Sequence, residues 1–153
     1  MLTLTKKTEY ALIATCHLAH SGSQVVSARD MAKEYGVRLP LLMNVLKTLN
    51  QRGILRSVRG ARGGYRLAIG PKDITLSRLI EAVEGMPRLT RCAAPRPGDE
   101  EPCELMGRCP VRSPLGKVHR VFGRFLRDVT VADLAFDENF GGRKRAVGKA
   151  VAR

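Results

Sequence analysis

Tryptophan is absent from this chain, and phenylalanine and tyrosine supply only 5% of its 153 residues. A core without large rings must be filled by aliphatic side chains. The 44% hydrophobic content provides enough of them for one ordinary domain. No run approaches the roughly eighteen apolar residues of a membrane span. Lys6 and Lys7 stand near the start, but Thr8, Glu9, Thr15, Cys16 and His17 interrupt what would be the apolar part of a secretion signal. A cytoplasmic protein with no membrane partner is expected. Acids are scarce as well, 14 against 27 Lys and Arg, a formal net charge of +13. Such an excess favours a polyanionic partner, although Arg143, Lys144, Arg145, Lys149 and Arg153 place part of it in an acid-free tail. Chemistry is missing too. No Ser/His/Asp set or carboxylate pair recommends a hydrolase, and no Gly-Lys-Ser/Thr follows the glycine run at 59–64 to make a phosphate loop. The chain reads as a non-enzyme.

What is present is helical punctuation. Residues 5–20 carry Tyr10, Ala11, Ile13, Ala14 and Leu18 at helical spacing, and Ser21-Gly22-Ser23 stops them. Ser27 caps a short second helix with Asp30 as the acid of a capping box, and Gly36 ends it. Pro40 suits the first turn of a third helix over 40–52, whose apolar stripe is Leu41, Leu42, Val45, Leu46 and Leu49. Two helices joined by a tight glycine link are a helix-turn-helix. Strands at 54–58 and 65–68 around the turn Arg59-Gly60-Ala61-Arg62-Gly63-Gly64 add a wing. A fourth helix over 74–84 follows, then a Pro- and Gly-rich loop, and a last long helix over 113–129. That helix has Leu115, Val118, Phe122, Leu126 and Val129 on one side. Near-heptad spacing there fits pairing with a second chain or burial on its own domain. The expected architecture is mainly α: a winged helix-turn-helix DNA-binding domain with a long C-terminal dimerisation helix. It divides into a DNA-binding domain (1–85), a cysteine loop (86–112), a dimerisation helix and following segment (113–136), and a basic disordered tail (137–153).

Two sets of residues carry the chemistry. Arg59 and Arg62 at the wing tip suit the narrow minor groove, and the glycines there let backbone approach DNA. Arg38, at the start of the third helix, is the best-placed base reader, while Arg29 and Lys47 suit phosphates. Cys92, Cys103 and Cys109 crowd one loop, with Pro102 before the second and Pro110 after the third. Exposed thiols in a reducing compartment are an oxidation liability unless they hold a metal or a cluster. Zinc and iron–sulfur both remain, although the C-x2-C spacing of zinc ribbons is missing. Cys16, in the first helix, reads as a small core residue.

Residues 4–12, 53–60, 63–67, 74–76, 80–85 and 129–134, with the three loop cysteines, resemble the Rrf2 family of bacterial transcription regulators. The wing sequence Gly63-Gly64-Tyr65-Arg66-Leu67 and the stretch Ile80-Glu81-Ala82-Val83-Glu84-Gly85 are its most specific parts. The resemblance implies a homodimeric repressor on a double-stranded operator. It also implies an iron-sulfur cluster on Cys92, Cys103 and Cys109 that answers nitric oxide, iron or cluster supply, or oxidants. In that family a carboxylate at the position of Glu9 can reach the cluster of the other subunit as fourth ligand; His119, Glu104, Cys16 and water are the other candidates. This chain departs from the pattern in a longer loop between the first two cysteines and in Arg112, which stands where some members carry histidine. Two other readings stay open: a zinc- or thiol-based regulator without iron, and a small iron–sulfur electron carrier.

Overall fold

The computed structural model describes residues 4–60, 62–86, 88–90, 105 and 107–136. The basic tail 137–153, expected to be disordered, lies outside them. The first helix, α1 (Lys6–His20), begins at Thr5, whose side chain accepts the Thr8 N–H. It buries Tyr10, Ala11, Ala14 and Leu18. In α2 (Ala28–Tyr35) the Ser27 hydroxyl accepts the Asp30 N–H at 3.1 Å and itself donates to the Asp30 carboxylate at 2.7 Å. The expected pair forms, with the acid bonding the hydroxyl. Gly36 closes the helix at φ 61°, a left-handed conformation that favours glycine.

Next comes α3 (Leu39–Gln51), with Pro40 in its first turn and Leu42, Val45, Leu46 and Leu49 buried. Each buried aliphatic of this kind contributes roughly 1.5–3 kcal/mol. No side chain caps α3. The backbone N–H of Arg38 instead donates to the Tyr10 hydroxyl at 3.1 Å, which ties the start of α3 to α1. The wing is β1 (Leu55–Val58) antiparallel to β2 (Gly64–Leu67), in register Leu55↔Leu67 and Val58↔Gly64. The second strand therefore starts one residue earlier than its apolar pattern suggests. Val26 bridges the outer side of β2 at Tyr65.

A single 3-10 turn, Pro71–Asp73, precedes α4 (Leu76–Glu84), which is capped by Thr75. Ile74, expected inside this helix, precedes its cap and is fully buried. The last long helix, α5 (Arg112–Asp128), has 17 residues against nine in α4, so α4 alone cannot cover it. Its apolar residues split. Leu126 is buried and Leu115 and Phe122 are half-buried, while Val118 points outward with Val121 and Phe125. The single stripe expected from the sequence is two faces. A further helix that apolar periodicity did not mark, α6 (Val131–Phe136), packs on α1. Thr130 and Asp133 cap it reciprocally, N–H to carboxylate at 2.8 Å and N–H to hydroxyl at 3.2 Å. Bonds from Leu76 N–H to Val129 O and from Val131 N–H to Ile74 O, both 2.8 Å, fasten the end of α5 to the start of α4.

Candidate functional site

Two regions of the described residues carry the expected chemistry. The first is the outer surface of α3 and the wing. Its α3 face presents Met43, Asn44 and Lys47 to solvent, with Arg38 exposed at the N-cap and Arg29 exposed in the first turn of α2. Arg59 and Arg62 are exposed at the hairpin tip. The Ser57 N–H donates to Asn50 Oδ1 at 2.9 Å, which ties the wing to the end of α3. All five expected DNA-contacting cations thus lie on α2, α3 and the wing.

The wing glycines have a reason other than approach to DNA. A Cβ on Gly63 would sit 2.6 Å from the Val58 carbonyl, and one on Gly64 would collide with the Val26 carbonyl. The fold's own backbone excludes side chains there. Two features of this surface went unmarked in the sequence. Arg56 and Arg66 are partners across the hairpin, so their side chains share a face. Like charges directly opposite destabilise a sheet, which makes the pair a candidate anion contact. Asn44 is the other, an exposed amide of the type that pairs with adenine. The signal for the arginines was their equal distance from the turn, and for Asn44 its place opposite the apolar stripe.

The second region joins α1 to the end of α4, just before the cysteine loop in sequence. Glu9 is half-exposed, and its carboxylate holds the Lys6 ammonium at 2.6 Å. That hydrogen bond and the accompanying charge raise the Lys6 pKa above its ordinary value. One residue on, Tyr10 faces inward to Arg38. Thr8 is fully buried, and the hydroxyls of Thr5 and Thr8 both donate to Glu84 Oε1, which pins the start of α1 to the end of α4 where the loop departs. Thr5, Lys6, Lys7, Leu41, Val83 and Glu84 line an open groove of about 560 Å³ at this junction.

Cys109 is half-buried just before α5, and its carbonyl accepts the Arg112 N–H at 3.4 Å. Cys92 and Cys103 lie outside the described residues, within which no three potential metal ligands converge. The donor chemistry nevertheless suits a thiophilic cluster: three thiols of one loop, plus a buried ring nitrogen, His119 Nδ1, with no hydrogen-bond partner. Cys16 packs against the core, as expected, and burial pushes its thiol pKa up. No helix among the described residues is long and apolar enough to cross a membrane.

Known proteins share this fold. The Rrf2 family, described as an iron-dependent transcriptional regulator, matches residues 4–137. The protein rrf2 of Nitratidesulfovibrio vulgaris (strain Hildenborough) is 31% identical over 136 residues, covering 88% of this chain and 87% of its own. The structure of CymR (YrzC), the global cysteine regulator of B. subtilis, superposes with a TM-score of 0.71 at 28% identity, over 90% of this chain and 98% of that one. IscR of T. potens gives 0.68 at 29% identity, over 89% and 88%. With the winged helix in place and the match running from α1 through α6, the chain belongs to the Rrf2 family of transcriptional regulators.

Proposed function

We propose that this regulator represses its genes by binding operator DNA as a homodimer, and that an iron-sulfur cluster on Cys92, Cys103 and Cys109 sets its affinity. Residues 1–85 then bind DNA, 86–112 hold the cluster and 113–136 join the two copies. The observation that carries this reading is the path through α1. Glu9 stands outward, Tyr10 holds the Arg38 N–H at the start of the recognition helix α3, and Glu84 ties the same helix to the base of the cysteine loop. A change in how the loop is held is therefore felt where α3 begins. Bound there, the cluster supplies a centre reactive to nitric oxide, oxidants and iron supply.

Glu9 of a second copy is the proposed fourth ligand. A carboxylate leaves iron more readily than a thiolate, so nitric oxide is the first signal to test. Arg38 and Asn44 read bases; Arg29, Lys47, Arg59 and Arg62 hold backbone or minor groove, with Arg56 and Arg66 beside them. The outward face of α5, where Val118, Val121 and Phe125 are each more than half exposed, joins the copies.

Protein purified without air should be brown and contain iron and acid-labile sulfide. Glu9→Ala should stay dimeric and keep iron, with an altered visible spectrum and faster cluster loss in air. A spectrum and lifetime equal to the wild type would move the fourth ligand elsewhere, first to His119, whose Nδ1 is buried without a partner. One solved relative is named a global cysteine regulator, which supports an alternative reading by thiol chemistry alone. Colourless protein without sulfide would select it, or its zinc counterpart.

A further inference from the structure

The cations of α5 form a pattern that neither the recognition surface nor the dimer face explains. Lys117, Arg120, Arg124 and Arg127 recur at spacings of three and four, so they share one stripe, and all four are exposed. The stripe runs about 15 Å along the helix. It lies on a third face, away from the buried Leu115–Phe122–Leu126 side and from the outward Val118–Val121–Phe125 side. None of the four makes an ion pair within the described residues.

Two features of this face weaken the helix and receive no compensation from the fold. Like charges three and four residues apart repel, whereas a merely solvated helix usually alternates its signs. Gly116 and Gly123 then interrupt the helix beside the stripe, and glycine is a poor helix former. No crowding among the described residues requires them: the nearest atoms to an added Cβ are Arg120 Nη1 at 3.7 Å and Arg127 Nη1 at 3.4 Å, both ordinary contacts. The Arg120 and Arg127 guanidinium groups lie back over Gly116 and Gly123. From Leu105 to Asp128 there are six cations, Arg108, Arg112, Lys117, Arg120, Arg124 and Arg127, against one acid, Asp128.

We propose that this stripe is a second polyanion-binding surface, and that its occupant is the phosphate backbone of DNA. The same stripe of a second copy is disfavoured here by like charge. A duplex offers about one negative charge per 1.7 Å, more than enough to neutralise four cations over the length of the stripe. The stripe asks only for negative charge along a line, since it presents no amide, aromatic or apolar group for reading sequence. It adds sequence-independent grip to the specific contacts of α3 and the wing.

The test is a quadruple variant, K117Q/R120Q/R124Q/R127Q, measured with a long duplex that lacks the operator. The slope of log affinity against log salt should fall by about 0.9 for each phosphate that is no longer neutralised. Circular dichroism and sedimentation check that helix content and association state are unchanged. Removing the like charges should leave the melting temperature at low salt equal or higher. Should the quadruple variant not fold, R120Q/R124Q replaces it, with half the effect. An unchanged slope with unchanged affinity overturns the proposal and leaves the stripe to an acidic protein or to the acids at Asp99, Glu100, Glu101 and Glu104. R59A/R62A, run in parallel on a short operator duplex, tests the wing reading separately.

Discussion

At the scale of single residues, the firmest constraint is the junction of Thr5, Thr8 and Glu84. Thr8 is fully buried, so its hydroxyl depends on the Glu84 carboxylate. Glu84→Ala strands that hydroxyl, and an unsatisfied buried polar group costs about 1–3 kcal/mol. Glu84→Gln keeps an acceptor oxygen and should recover most of the stability. Denaturant midpoints of the two variants separate the cases, and equal midpoints would show that α1 does not rely on this bond. Cysteines differ at the same scale. Burial raises the Cys16 pKa, so at neutral and mildly alkaline pH its thiol stays protonated and is a poor nucleophile. Cluster-free protein treated with iodoacetamide should label at Cys109 well before Cys16, read by peptide mass. Equal labelling would mean that α1 opens on the time of the reaction.

Among the elements, the Ser57–Asn50 bond ties the wing to the end of α3, and the proposed function puts the two on DNA together. Arg59→Ala with Arg62→Ala should weaken operator binding and lower the salt slope by about one unit for each phosphate that the tip no longer holds. Affinity and slope both unchanged would remove the tip from the interface. The elements were legible in the sequence wherever a local signal closed them. Ser27 with Asp30, Gly36, and Thr75 are caps whose side chains or left-handed backbone act within three residues. Thr130 and Asp133 are an equally local signal, but they open a helix of only six residues, too short for apolar periodicity to register. The wing glycines show the opposite limit. Their spacing marks a turn, yet the need for glycine at position 64 comes from Val26, which is far away in sequence and arrives only with the fold.

For the whole molecule, α5 decides what kind of object the protein is. Periodicity found one apolar stripe because Leu115, Val118 and Phe122 sit within half a helical circumference, and only the placement of α4 divides them into a covered and an uncovered side. The candidate site was legible for the opposite reason: its cations and thiols were named by type and loop position, which need no packing. Convergence of the three thiols is a matter of packing, and Cys92 and Cys103 lie outside the described residues. The uncovered side of α5 is the joint proposed above between two copies. Val121 is 54% exposed and Phe125 52%, large apolar surface at one turn's spacing on a side of the helix that the described residues leave uncovered. Replacing both, V121E with F125E, should convert a dimer to monomers in sedimentation while leaving helix content intact. The same variant should lose operator affinity far beyond any change in its cations, because two half-sites are then no longer read together. It should also lose cluster stability in air if Glu9 crosses between copies. A variant that stays dimeric would place the joint elsewhere. One that is monomeric yet holds its cluster as long as the wild type would show that every ligand comes from a single chain.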